Sequence, residues 1–242
     1  MDQIPWAKFI HSFHWAAGEY VTVLGPKGYG KTTVLLELSK KRKYIVIFAN
    51  KVADKTLSRF IEQNDFTVIT SWDKRPYNKY KIVLWPKFEG IHSFDQQEQV
   101  FRNAISGTKK DIGIFRRGTN KDIGIFRQGG WTVAFDEILY LTGRDGIGLD
   151  REIRMMYTQG RSNEISLLGG SQRPFDVPQV MLNQADHFFY FQVVDSQEVD
   201  RISRVVGSLS NEVRAIVPRL QKYQFMYINR EKRTYAISKV EK

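Results

Sequence analysis

The chain contains no cysteine. Disulfides, thiolate metal sites and a thiol nucleophile are excluded together, and the absence accords with a reducing, cytosolic setting. No apolar run reaches the length needed to span a membrane; the longest candidates, such as residues 188–191, are strand-sized. The start of the chain carries Asp2 and no signal-peptide pattern. A soluble cytoplasmic protein without an integral membrane segment is the expectation. Acid is also in short supply: 26 Asp and Glu face 37 Lys and Arg, leaving a formal net charge of +11. Such an excess implies attraction to a polyanion, and nucleic acid is the commonest one. A membrane surface or a merely basic enzyme would account for the same number, so the charge gains meaning only beside a chemical motif.

What the chain does contain is a regular alternation. Apolar segments of strand length fall at 20–24, 44–49, 67–70, 82–85, 132–135, 166–169 and 187–193. Helix-like stretches fall at 4–16, 33–40, 53–63, 95–105, 149–158, 178–183 and 196–206. This alternation predicts an α/β fold with a mostly parallel central sheet flanked by helices. Two further runs, 224–228 and 234–238, surround a polar turn and predict a C-terminal β-hairpin within 219–242. One large domain over residues 1–242 accommodates all of this. Residues 1–17 read as an N-terminal amphipathic helix. Its Trp6, Phe9, Phe13 and Trp15 are suited to packing on the sheet or on a neighbouring subunit. His11 and His14 share a face of that helix, and without a third ligand nearby they read as packing or surface residues rather than a zinc site.

Between the first long strand and its helix lies Gly25-Pro26-Lys27-Gly28-Tyr29-Gly30-Lys31-Thr32, followed by Thr33. This is the Gly-x4-Gly-Lys-Thr spacing of a phosphate-binding loop, the Walker A motif. Glycines let successive backbone N–H groups turn inward around a β-phosphate. Lys31 then reaches the β- and γ-phosphates, and the Thr32 hydroxyl ligates Mg²⁺. The positive end of the helix dipole adds to the attraction. Farther along, the apolar run that begins at Trp131 ends in Asp136-Glu137, a Walker B pattern. Asp136 is expected to hold the Mg²⁺ shell and Glu137 to orient or deprotonate the attacking water. The adjacent glutamate points to a hydrolase or motor rather than a kinase.

A third segment runs from Gln159-Gly160-Arg161 to Ser171-Gln172-Arg173-Pro174. Gln172 emerges at the C-terminal end of a strand, where ligands of open α/β sheets bind, and is expected to sense the γ-phosphate or the lytic water. Arg161 lies at the opposite end of that strand, away from its own nucleotide. It is expected to act in trans, as an arginine finger on a neighbouring subunit's nucleotide. Arg144, Arg151, Arg154 and Arg173 are rival fingers.

Lys110-Asp-Ile-Gly-Ile-Phe-Arg116 recurs as Lys121-Asp-Ile-Gly-Ile-Phe-Arg127. Within 107–130, Lys109, Lys110, Arg116, Arg117, Lys121 and Arg127 outnumber Asp111 and Asp122. Two readings stand side by side: a basic insertion that touches nucleic acid, with Phe115 and Phe126, or a tandem duplication lying as a solvated hairpin. Lys74, Arg75, Lys79 and Lys81 form a second basic cluster, the other candidate grip on a nucleic-acid backbone.

Together, the stretch from Gly18 into the phosphate loop, Phe135-Asp136-Glu137, Gly160-Arg161 and Ser171-Gln172-Arg173-Pro174 resemble the HerA/FtsK superfamily of ring-forming, DNA-pumping ATPases. The chain looks most like the small viral genome-packaging members. The resemblance implies a P-loop NTPase of the additional-strand, catalytic-glutamate (RecA-like) type. In it the Gln172 strand lies between the phosphate-loop strand and the Asp136 strand. It further implies ATP and Mg²⁺ as cofactors, a homo-oligomeric ring (pentamer or hexamer), and double-stranded DNA as the translocated partner. A viral portal or capsid vertex is then a further partner, and the location is host cytoplasm or the virion vertex. The chain departs from FtsK in lacking membrane segments and a winged-helix module, and from HerA in lacking the extra barrel. Conjugation, protein export or virion assembly by a related ATPase, and an ATP-gated binding protein without fast turnover, are the alternatives.

Overall fold

In the computed structural model of the chain, which describes residues 3–87, 93–107, 123–143 and 146–241, the central strands are buried along their whole length. They are β2 (Tyr20–Leu24), β3 (Ile45–Phe48), β6 (Thr132–Phe135), β7 (Ser166–Ser171) and β8 (His187–Phe191). Burial on both faces is what a parallel sheet under two helical layers demands, and it explains their near-continuous apolar sequences. The remaining strands are β1 (Gln3–Ile4), β4 (Thr67–Ile69), β5 (Lys81–Leu84), β9 (Gln224–Asn229) and β10 (Thr234–Lys239). All ten strands among the described residues belong to one sheet in the order β1-β10-β9-β8-β2-β7-β6-β3-β5-β4. From β4 to β8 every neighbouring pair is parallel, whereas β8–β9 and β9–β10 are antiparallel. β7 lies between β2 and β6, as the resemblance implies.

Alternate residues of each strand face opposite layers. Val21, Val23, Ile45, Ile47, Leu168, Phe189 and Phe191 meet α1 (Trp6–Ser12), α2 (Lys31–Lys40) and α3 (Lys55–Gln63) in one core. Tyr20, Leu24, Val46, Phe48, Val133, Leu167 and Phe188 meet the other helices in a second core. Those helices are α4 (Ser93–Ser106), α5 (Ile125–Gln128), α6 (Ile138–Leu141), α7 (Asp150–Gln159), α8 (Gln179–Gln184), α9 (Ser196–Arg204) and α10 (Ser210–Ile216). No helix among the described residues is long and apolar enough to cross a membrane.

Three expectations are corrected. The N-terminal helix is short: Gln3–Ile4 pairs with β10, Pro5 starts the helix at its fixed φ, and Phe13 is already extended. That break lets Trp6, Phe9, Phe13 and Trp15 all turn inward, and Phe9 and Phe13 pack on Phe189 and Tyr227 of the chain's own sheet. Next, the 107–130 insertion is not wholly a solvated hairpin. Lys109, Lys110, Arg116, Arg117 and Lys121 lie outside the described residues. The end of the second repeat, however, forms α5, with Ile125 fully buried and the Ile123 carbonyl accepting the Trp72 indole N–H at 3.0 Å. Arg127 is exposed on α5. Finally, the cluster around Lys74–Lys81 is not a free basic face. Arg75 is buried with its guanidinium over the rings of Trp72 and Trp131, and Lys79 pairs with Asp65 at 3.0 Å. Such stacking suits the planar, weakly hydrated guanidinium.

The C-terminal hairpin forms as expected, and its β9 extends the main sheet through β8.

The segment leaving β6 passes close over β7 and needs a strand with little side chain there. A Cβ on Gly170 would lie 2.5 Å from the Asp136 carbonyl oxygen. Gly170→Ala should therefore destabilise the fold by about 1–3 kcal/mol, as overpacking typically does. Thermal unfolding checks this, at roughly 2–4 °C per kcal/mol for a chain of this size.

Candidate active site

β2 ends at Leu24 and the loop turns at once. Gly25, Gly28 and Gly30 adopt φ values of 151°, 81° and 106°, a region that favours glycine. At Gly25 a side chain is excluded, since its Cβ would lie 2.4 Å from that of Phe191 on β8. The Gly25 N–H donates to the Ser171 carbonyl at 3.3 Å, pinning the loop entrance to the end of β7. Gly30 is the N-cap of α2, so Lys31, Thr32 and Thr33 are its first residues and their amides have no intrahelical acceptor. Pro26 is half-buried, and Lys27 and Gly28 form the exposed turn. The Tyr29 hydroxyl donates to Gln192 Oε1 at 3.0 Å, tying the loop to the segment after β8.

Lys31 is buried, and its ammonium donates to the Pro26 carbonyl at 3.0 Å, so it folds back over the loop. Burial holds the ammonium below the usual lysine range; the carboxylates of Asp136 and Glu137 oppose that, and the charge of Lys51 adds to it. The Thr32 hydroxyl donates to Asp136 Oδ2 at 2.9 Å, joining the Walker A and Walker B segments directly.

Lys51, beyond the end of β3, donates to the same Asp136 oxygen at 3.2 Å and to Asp54 Oδ2 at 3.0 Å. Asp54 in turn caps α3, its Oδ1 accepting the Thr56 and Leu57 N–H groups at 3.0 Å each. Asp136 Oδ1 is buried and has no hydrogen-bond partner. An orphaned carboxylate oxygen beside a threonine hydroxyl is the donor set of a hard cation that keeps most of its other ligands from water and phosphate. Thr32 and Asp136 therefore fit Mg²⁺. Among the described residues no group of three or more His, Cys, Asp or Glu could hold a metal ion.

Glu137 stands at the N-terminus of α6, and its Oε1 accepts a hydrogen bond from Ser171 Oγ at 3.0 Å. Burial raises its pKa above the usual carboxylate range and the Asp136 charge helps, against the opposing Ser171 hydrogen bond and the Lys31 charge. A carboxylate shifted this way is a better proton acceptor near neutral pH.

Gln172 sits at the same strand end but is exposed. Because side chains alternate along a strand, it is Ser171 that turns inward to Glu137. Arg161 lies at the far end of the sheet. Its guanidinium pairs with Asp186 at 3.0 Å, donates to the Gln184 carbonyl at 3.3 Å, and covers the Tyr20 ring at 5.0 Å. Half of that side chain stays exposed. Among the rivals, Arg151 and Arg154 are exposed on α7, Arg173 pairs with Glu198 at 3.0 Å, and Arg144 lies outside the described residues.

The structure thus brings Lys31, Thr32, Asp136 and Glu137 together and adds Ser171 and Lys51, which the sequence reading missed. Ser171 was detectable as the inward neighbour of Gln172. Lys51 carried no signal beyond following a buried strand.

Replacing Ser171 by alanine removes a donor to the ionised Glu137, so the carboxyl should titrate at still higher pH than in the parent. Carbon-13 NMR of the labelled glutamate carboxyl, without nucleotide or divalent cation, measures the shift and its sign.

No family model matches the chain, and no curated protein sequence does either. Solved structures do. One is the genome packaging NTPase B204 from Sulfolobus turreted icosahedral virus 2, in complex with AMPPCP. It is 18% identical over 92% of this chain and 98% of that chain, with a TM-score of 0.62. Another is the conjugation coupling protein TcpA of pCW3, 15% identical over 91% of this chain and 58% of that one, with a TM-score of 0.50. The ATPases 2 and 3 of EssC from Geobacillus thermodenitrificans are 11% identical over 90% of this chain and 39% of that one, with a TM-score of 0.51. The neighbours therefore include a viral packaging NTPase, a conjugation coupling protein and the ATPases of EssC, and what the chain shares with them is the fold.

Proposed function

We propose that the protein is an ATP-driven DNA translocase, a viral genome-packaging motor that hydrolyses ATP in a ring of its own copies and pumps double-stranded DNA. The observation that carries this reading is the chain of contacts Thr32–Asp136 and Ser171–Glu137 under a phosphate loop. The near-complete overlap with a packaging NTPase solved with an ATP analogue supports it. TcpA and EssC share the fold, but the chain spans less than two thirds of each; conjugation or export is the second reading.

In the proposed reaction the loop amides and Lys31 hold the β- and γ-phosphates. Glu137 accepts a proton from water as the water oxygen bonds to the γ-phosphorus, and the bridging oxygen leaves on ADP. When bound by Thr32 and Asp136, Mg²⁺ neutralises phosphate charge. Gln172 reports the state of the γ-phosphate from the end of β7. Arg161 serves the neighbouring subunit: it sits at the start of β2, a strand's length from its own loop, with half its side chain open. The net charge of +11 supplies the attraction to DNA, and the exposed Arg127 and the undescribed cations of 109–121 are the proposed grip. The proposed location is the host cytoplasm or the virion vertex, against a portal.

Glu137→Gln should keep nucleotide binding while hydrolysis falls by about 10²–10⁴-fold. In the parent, duplex DNA should stimulate hydrolysis, and added salt should remove the stimulation steeply. Unchanged turnover with and without duplex DNA at low salt would sink the translocase reading.

For the finger, Arg161→Ala should abolish turnover yet regain part of it in rings mixed with Glu137→Gln subunits. Titrating the two variants against each other at fixed total protein measures this. No rescue at any ratio would mean the arginine acts within its own subunit, through Asp186.

A further inference from the structure

Lys51 is a charged group of the site to which the reading above gives no task. It is fixed from behind, because the Trp85 indole N–H donates to its carbonyl at 2.8 Å. Its ammonium bridges Asp54 and Asp136 while the side chain remains half exposed. Its charge is felt at Lys31, the lysine of the phosphate loop. A cavity of about 30 Å³, lined by Thr32, Leu36, Ile47 and Leu57 together with Lys51 and Asp136, adjoins the side chain.

Asp54 does not need Lys51. Its Oδ1 already serves the two amides of α3, and the ion pair engages only the other oxygen. With its ammonium half exposed, the pair is screened by water and contributes little. The contact is therefore readily exchanged for a stronger anion, and a terminal phosphate seated on the loop, with its two charges, is one.

We propose that Lys51 is a second catalytic lysine, which exchanges Asp54 for the terminal phosphate of the nucleoside triphosphate and neutralises its charge as the bond to the diphosphate breaks. This rests on the site being a triphosphate hydrolase. Lys51 transfers no proton; water supplies the oxygen, Glu137 takes the proton, and the diphosphate leaves with the bridging oxygen. A diphosphate offers Lys51 no terminal group, so the same residue distinguishes substrate from product.

The test compares Lys51→Gln, Lys51→Arg and Asp54→Ser in the full chain with Mg²⁺ present. It measures affinity for AMPPCP and for ADP, and single-turnover ATP hydrolysis. Lys51→Gln should bind ADP as the parent does. It should lose about tenfold or more in its relative affinity for AMPPCP, the scale of one charged hydrogen bond, and hydrolysis should fall by about 10²–10³-fold. Lys51→Arg should recover most of both. Asp54→Ser keeps an N-cap and should stay near the parent. An unchanged AMPPCP-to-ADP ratio with unchanged turnover in Lys51→Gln overturns the proposal. So does an equal loss in Asp54→Ser, which would mean that Lys51 acts by positioning α3. A parent that neither binds nor hydrolyses ATP removes the underlying reading instead, and that is seen before any variant is compared.

Discussion

The chemistry of this protein depends on one strand, β7, lying between β2 and β6. Its neighbours carry the phosphate loop and the Asp136-Glu137 pair, and its own tip supplies Ser171. A hydrogen-bonded parallel sheet spaces neighbouring strands about 4.8 Å apart, so the three tips are brought to one place by the backbone rather than by their side chains. The Gly25 amide bound to the Ser171 carbonyl, and the Ser171 hydroxyl bound to Glu137, make that tip the hinge point of both contacts. Gly169 and Gly170 are the cost: a strand thin enough to let the Phe135 ring and the Asp136 carbonyl close in contributes little packing of its own.

Much of this was legible in the sequence because the informative residues are local. The loop is eight consecutive residues in a strand–turn–helix context, and Asp136-Glu137 ends a run that is apolar apart from Thr132. The same holds for the terminal hairpin, where two runs flank a polar turn. What was illegible depends on partners far along the chain. Lys51 matters because it meets Asp136, 85 residues away. Arg75 looked like part of a wet basic cluster and proves to be sandwiched with Trp72 and Trp131. The N-terminal aromatic spacing fitted one helix, but Pro5 and the extended Phe13 shorten it, and the same aromatics reach the core by a different path.

The basic excess divides into cations with different duties. Arg42 spends its guanidinium on Thr132, Ser166 and the Trp15 carbonyl, locking α2 to the starts of β6 and β7. Arg230 satisfies the carbonyls of Asn183 and Ala185 at the end of α8. Lys31 and Lys51 face the carboxylates of the site. Formal charge thus overstates what is available to a polyanion, since a guanidinium committed to backbone oxygens is no longer a mobile counter-ion for phosphate.

β2 has a mechanical consequence. One end opens into the phosphate loop; at the other, the Tyr20 amide donates at 2.8 Å to Asp186, the carboxylate that grips Arg161. Five residues of extended chain span roughly 16 Å, clamped laterally by β7 and β8 and packed at crystal-like density. Such an element transmits force as a push-rod does, without stretching. Under the proposed function, a sub-ångström recoil at the phosphate loop is therefore carried to the opposite rim by the strand itself, and timing between the proposed ring's protomers needs no flexible relay.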